Sequence, residues 1–241
     1  MSDICIFKRI EKKYFLTTEK YKELLSLLGN KVTLDKYGKH TICNIYLDTE
    51  NFLLIRNSID AKVYKEKLRL RSYGTPSDGD HVFLEIKKKF DGVVYKRRVV
   101  ISHAQAMEYL RGGEKPESSQ IMEEIDYAMK LYRPSPAVVL CYEREAYKVE
   151  GFPNVRLTFD TNVRYRTDDL LLSHGSGGKR IVSEDSVLLE IKTDGAMPMF
   201  LSRALSELEI YPSSFSKYAT AYRDMCAEKK IKITERENCY A

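Results

Sequence analysis

Lys67-Leu68-Arg69-Leu70-Arg71 sets a cation at every odd position and a leucine at every even one. Successive side chains of an extended strand point to opposite faces, so this run has one wholly basic face and one wholly apolar face. The design recurs on either side. In Phe83-Leu84-Glu85-Ile86-Lys87-Lys88-Lys89, residues Glu85, Lys87 and Lys89 oppose Leu84 and Ile86. Leu189-Glu190-Ile191-Lys192 repeats it, and Arg156, Thr158 and Asp160 alternate with Leu157 and Phe159. Arg9, Glu11 and Lys13 share one parity, as do Lys96 with Arg98 and Tyr142 with Arg144.

Strand-like segments of this kind span residues 5–14, 40–47, 62–73, 81–90, 93–101, 137–147, 154–164 and 186–193. Helical patterns lie between them at 17–28, after the N-cap residue Ser102, at 118–132, 198–209 and 215–230. Asp91-Gly92 between two strand runs predicts a hairpin. About eight strands with hairpin connections and interspersed helices predict an α+β fold: a closed antiparallel β tunnel barrel with helices packed outside, as one domain over 1–241. The Gly-rich run from His174 to Arg180 lacks the spacing of a phosphate-binding loop and reads as a flexible hairpin tip.

Of 241 residues, 43% are hydrophobic and 31% charged, and the formal charge is only +5. That surplus is too small to imply nucleic acid or membrane by itself. No apolar run approaches the ~20 residues of a membrane span, and the polar N-terminus is not a signal peptide. Five scattered cysteines without a CxxC pair read as reduced thiols, and four histidines without ligand spacing give no metal cage. A cytoplasmic location follows as the expectation.

The strand charges are one-signed. Twelve cations (Arg9, Lys13, Lys67, Arg69, Arg71, Lys87, Lys89, Lys96, Arg98, Arg144, Arg156 and Lys192) share faces with only Glu11, Glu85, Asp160 and Glu190. Taken one strand at a time, each could be the solvated side of an ordinary sheet, and Tyr beside Arg could also serve single-stranded RNA. Collectively, the helical apolar stripes must cover the leucine faces, which turns the cations inward. A cationic interior requires a polyanion, with a divalent metal at the few carboxylates. Arg forks and Lys ammonium groups suit phosphate oxygens.

Arg9-x-Glu11-x-Lys13-Tyr14, Arg69-x-Arg71, Glu85-x-Lys87, Tyr142-x-Arg144-x-Ala146, Arg156-x-x-x-Asp160, Leu189-Glu190-x-Lys192 and Ser216-Lys217-Tyr218 together resemble, in order and parity, the VTC domain. That is the catalytic domain of vacuolar transporter chaperone polyphosphate polymerases, in the triphosphate tunnel metalloenzyme (CYTH-like) superfamily. The resemblance implies a tunnel barrel and a phosphotransferase moving the γ-phosphoryl of a nucleoside triphosphate onto polyphosphate. It assigns catalytic contacts to Lys13, Arg69, Arg71, Lys87, Arg144, Arg156 and Lys217, and phosphate binding to Lys96, Arg98, Tyr142, Lys192 and Ser216. Mn²⁺ or Mg²⁺ is expected at Glu190, Glu11 and Glu85. Arg9 stands where the superfamily's ExExK signature has its first glutamate, which turns the expectation from hydrolase toward polymerase. A metal-dependent triphosphatase and a non-catalytic binder of polyphosphate, inositol phosphates or RNA are the alternatives. The implied partners are nucleoside triphosphate and polyphosphate, with no nucleic acid; a membrane partner protein and the oligomeric state are left open.

Overall fold

The computed structural model describes residues 10–91 and 93–228. Arg9 and the end of the last predicted helix, residues 229–230, lie outside them. Ten strands form one antiparallel sheet: β1 (Ile10–Thr17), β2 (Val32–Leu34), β3 (His40–Asp48), β4 (Tyr64–Tyr73), β5 (His81–Phe90), β6 (Val93–Ser102), β7 (Ser135–Val149), β8 (Phe152–Arg166), β9 (Lys179–Arg180) and β10 (Ser186–Thr193). The helices are α1 (Thr18–Leu28), α2 (Leu53–Asp60), α3 (His103–Leu110), α4 (Gln120–Tyr132), α5 (Met199–Glu207) and α6 (Lys217–Glu228). The strand order is β1-β10-β8-β7-β3-β4-β5-β6, with β2 against β7 and β9 against β8.

The expected parity holds. Leu68, Leu70, Leu84 and Ile86 are buried on the outer face with Met107, Tyr109, Met122 and Ile125 from α3 and α4. Leu157, Phe159, Leu189 and Ile191 are buried on the same outer side against Leu24 and Leu28 of α1 and Leu201 of α5. The cations are left on the other, concave face. Local signals set the helix starts: Thr17 and Ser119 cap α1 and α4, and Ser102 with Gln105 forms a complete capping box on α3. Asp91 takes a positive φ of 43° at the expected β5–β6 hairpin.

Two architectural expectations are corrected. Among the described residues the sheet does not close, because β1 and β6 end the path without pairing. The reason is local. Tyr14 bridges Pro212 and the Ser213 N–H donates to the Lys13 carbonyl, so the segment before α6 occupies the β1 edge that β6 would need. Nor are all helices outside. Tyr218, Ala219, Ala221 and Tyr222 of α6 are buried against Ile42, Tyr46, Leu140 and Tyr142 on the concave side, making α6 a plug within the curl.

The patterns also missed α2, β2 and β9. Helix α2 starts at Phe52, whose φ is 57°, with no cap residue adjacent; Asp48 instead reaches forward to accept from the Leu54 and Ile55 N–H groups at 2.8 and 3.0 Å. The Gly-rich segment is not a free tip. Arg166 donates to the carbonyls of Asp169, Leu171, Gly175 and Gly177, fastening it to β8.

Candidate active site

Three carboxylates on the concave face organise the cations around them. Arg69 and Glu85 are register partners on β4 and β5. Glu85 is fully buried and takes Arg69 Nε at 2.7 Å and Nη2 at 2.6 Å on Oε2, with Lys96 Nζ 2.7 Å from Oε1 and Arg71 Nε 3.9 Å from Oε2. Arg71 Nε also donates to Asn44 Oδ1 at 2.9 Å, and Asn44 is fixed by donating to the Leu140 carbonyl. Burial opposes charge on Glu85, but Arg69, Arg71 and Lys96 outweigh it and hold its carboxyl well below the ordinary range.

Asp160 on β8 forms the second node. It accepts Arg144 in a fork at 2.6 and 2.7 Å and Lys217 of α6 at 2.5 Å. Burial again opposes its charge, and Lys217 and Arg144 prevail, lowering its pKa. Both cations also lie over the Tyr142 ring, 5.2 and 4.6 Å from its centroid. Glu11 is the third node, 3.3 Å from Lys13 and 3.8 Å from Lys87. That last contact spans from β1 to β5 and shows how strongly the sheet curls. Lys13 donates to the Phe215 carbonyl and Lys67 to Ser216 Oγ, so the entry to α6 lies across the concavity.

Cations remain in excess. Glu85 alone faces three of them, and no described carboxylate pairs with Lys67. Burial, then repulsion from Lys87, Lys13 and Arg69, lowers the Lys67 pKa to about 8 against the partial relief of Tyr46. Burial likewise lowers Lys87, and brings Lys96 to about 7 despite Glu85. Lys96 keeps 38% of its side chain in water, so solvent screens part of that effect. Burial would raise the Tyr46 phenol, but Arg69 and Lys67 bring it down to about 8. An anion placed on this face would raise these depressed ammonium groups again.

Lys13, Arg69, Arg71, Lys87, Lys96, Arg144, Tyr142, Ser216 and Lys217 all meet on this concavity. Lys192 shares its face and pairs with Glu190 at 2.6 Å. Two expected residues sit apart. Arg156 is half exposed and turned to Asp35 at 2.8 Å, and Arg98 lies at the rim over the Phe83 ring at 4.6 Å. Sequence reasoning missed Tyr46 and Asn44, whose signal was present. Polar Asn44, Tyr46 and Asp48 alternate along an otherwise apolar β3. It counted Asp160 among the carboxylates without giving it the organising role it has.

The expected three-glutamate metal set does not assemble. Among the described residues no group of three His, Cys, Asp or Glu side chains could hold a metal, because cations separate Glu11, Glu85 and Glu190. A single-carboxylate site does suit Glu190. Lys192 takes its Oε1, no described hydrogen bond takes Oε2, and Lys192, Arg144 and Lys217 keep it ionised against its burial. Such a site suits a hard divalent ion whose other ligands are phosphate and water.

Residues 8–226 match the VTC domain family. Vacuolar transporter chaperone complex subunit 4 of Trypanosoma brucei brucei is 24% identical over 163 residues, covering 55% of this chain and 21% of that protein. The chain thus spans about a fifth of the length of that relative. A Bacillus halodurans protein provisionally designated adenylate cyclase superposes with a TM-score of 0.55 at 15% identity, over 87% of this chain and 95% of its own. A Hippeastrum protein with the same provisional designation, described as having a dominant triphosphatase activity, gives 0.51 at 16%, over 90% and 96%. These two share the fold. No helix among the described residues is long and apolar enough to cross a membrane.

Proposed function

The chain belongs to the VTC domain family, and from that premise we propose that it transfers the γ-phosphoryl group of a nucleoside triphosphate to the end of a polyphosphate chain held in the concave face. The observation that carries this reading is the convergence of Arg69, Arg71, Lys96, Arg144, Lys217, Lys13, Lys67 and Lys87, from five strands and α6, on one partly enclosed space. Their excess charge calls for a ligand with many phosphates.

The terminal oxygen of the acceptor polyphosphate is already ionised and attacks the γ-phosphorus. The bond to the β–γ bridging oxygen breaks and the nucleoside diphosphate leaves with that electron pair. Little covalent chemistry is asked of the protein, whose share is alignment and charge neutralisation. Arg69, Arg71 and Arg144, fixed in place by Glu85, Asn44 and Asp160, would offer positive charge and their remaining N–H groups to nonbridging oxygens. Lys13, Lys67, Lys87 and Lys217 add ammonium groups on the same concave face. Glu190 would hold a divalent cation, which when bound supplies further charge neutralisation on phosphate oxygens. Hydrolysis would instead need a carboxylate besides the metal-holding Glu190 to orient water, and Glu11, Glu85 and Asp160 are each taken by two or more cations. That arrangement favours the transferase over the triphosphatase.

Incubation of the purified protein with ATP and Mn²⁺ should yield an acid-labile polymer together with ADP. Rapid release of free phosphate without polymer would replace the transferase by a triphosphatase. Glu190→Gln separates either enzyme from a binding module. Turnover should fall at least a hundredfold while tripolyphosphate affinity stays within a few fold, and a chain with no turnover to lose is a binder.

A further inference from the structure

One rim of the concave face is aromatic, and the phosphate-gripping residues do not account for it. Tyr73 lies two residues beyond Arg71 on β4, Phe83 is the register partner of Arg71 on β5, and His40 enters the same face from β3. Their rings form a chain: His40 to Tyr73 at 5.7 Å, and Tyr73 to Phe83 at 5.5 Å and nearly perpendicular. Arg98 covers Phe83 at 4.6 Å, and Tyr37 continues the chain past His40 at 6.4 Å. Tyr73 and Tyr37 are 52% and 66% exposed, so much of each residue stands in water.

We propose that this rim is a shelf for the base of a nucleoside triphosphate whose phosphates occupy the adjoining cations. The inference rests on the function proposed above and deepens it by assigning the substrate's aromatic end. A nucleotide is an anionic tail joined through a ribose to a flat aromatic base. The face offers complementary chemistry in the same order: Arg69 and Arg71, then, two strand residues or about 7 Å further, Tyr73. Stacking on Tyr73 and His40 accepts any base, with larger purines gaining most, and exposed aromatic faces beside Arg are the usual platform for it. Arg98, expected from sequence to bind phosphate, holds the far end of the shelf by covering Phe83.

Calorimetric titration with tripolyphosphate and with a non-hydrolysable ATP analogue tests this. Tyr73→Ala should weaken the nucleotide about tenfold or more and leave tripolyphosphate within twofold. Tyr73→Phe should restore nucleotide binding, and wild-type protein should prefer purine to pyrimidine triphosphates. Equal losses for both ligands, or no loss for either, would overturn the shelf while leaving the phosphate site intact. Failure of the wild type to bind tripolyphosphate would instead overturn the proposed function itself. Because Tyr73 is half exposed, the alanine variant is expected to fold, and an unchanged tripolyphosphate affinity verifies it in the same titration.

Discussion

Asp160 holds two cations with one charge, and the removal of that charge has a definite cost. Asp160→Asn leaves Arg144 and Lys217 facing one another, and urea denaturation should show a loss of about 3 kcal/mol. Added tripolyphosphate should recover part of it. An unmoved midpoint would mean that water already screens the pair. Lys67 works in the opposite sense. Its folded pKa of about 8 lies below the 10.5 of a free lysine, so between those values the unfolded chain binds more protons. Stability of the ligand-free protein should therefore rise with pH from about 8 toward 10, and Tyr46, lowered from 10.0 to about 8, adds to it with the same sign. Lys67→Met should stabilise the ligand-free protein at pH 7 by about 2 kcal/mol and weaken tripolyphosphate binding. An anion returns the lysine to its charged state, so binding at pH 8.5 should take up protons. Identical calorimetric heats in buffers of different ionisation enthalpy would refute that linkage.

Strand β8 changes face at Asn162, whose φ is 52°. The β7–β8 register slips between Glu143 and Cys141, which face Thr161 and Arg164. One extra residue moves Val163 and Tyr165 to the concave side, where they pack on α6 and Tyr165 donates to Asp224 at 2.7 Å. Inserting one alanine after Asn162 would send Val163 and Tyr165 outward and strip α6 of its seat, so that variant should lose native circular dichroism and refold poorly. Asn162→Gly keeps the left-handed backbone and should cost about 1 kcal/mol, chiefly the lost bonds to Glu143 and Arg164. If the insertion variant melts like the wild type, the parity that the bulge sets is not what seats α6. The bulge was not legible, because strand alternation shows which residues share a face only while the register runs unbroken. The same holds for α2, whose cap lies at Asp48, several residues upstream of where a cap is normally sought.

Across the whole molecule, the concave face trades ligand-free stability for affinity. Glu85→Gln should expose this most clearly, because it leaves Arg69, Arg71 and Lys96 without their shared counter-charge. A loss of about 3 kcal/mol corresponds to a fall of roughly 6–12 °C in melting temperature. The shift caused by tripolyphosphate should grow in that variant and shrink as salt is added, and an unchanged shift would contradict the charge argument. The alternation in Lys67-Leu68-Arg69-Leu70-Arg71 and its counterparts decided from sequence that the strands have one cationic and one apolar face, since parity is a local property of an extended chain. It also carried most of the site, because residues of one parity on neighbouring strands must meet wherever those strands pair. What only the tertiary structure decided was which partner each charge takes. Glu85 between three cations, Asp160 between strand and helix, the 212–213 segment on the β1 edge and α6 inside the curl all join parts of the chain far apart in sequence. Such contacts arise from curvature and close packing, which no local pattern encodes.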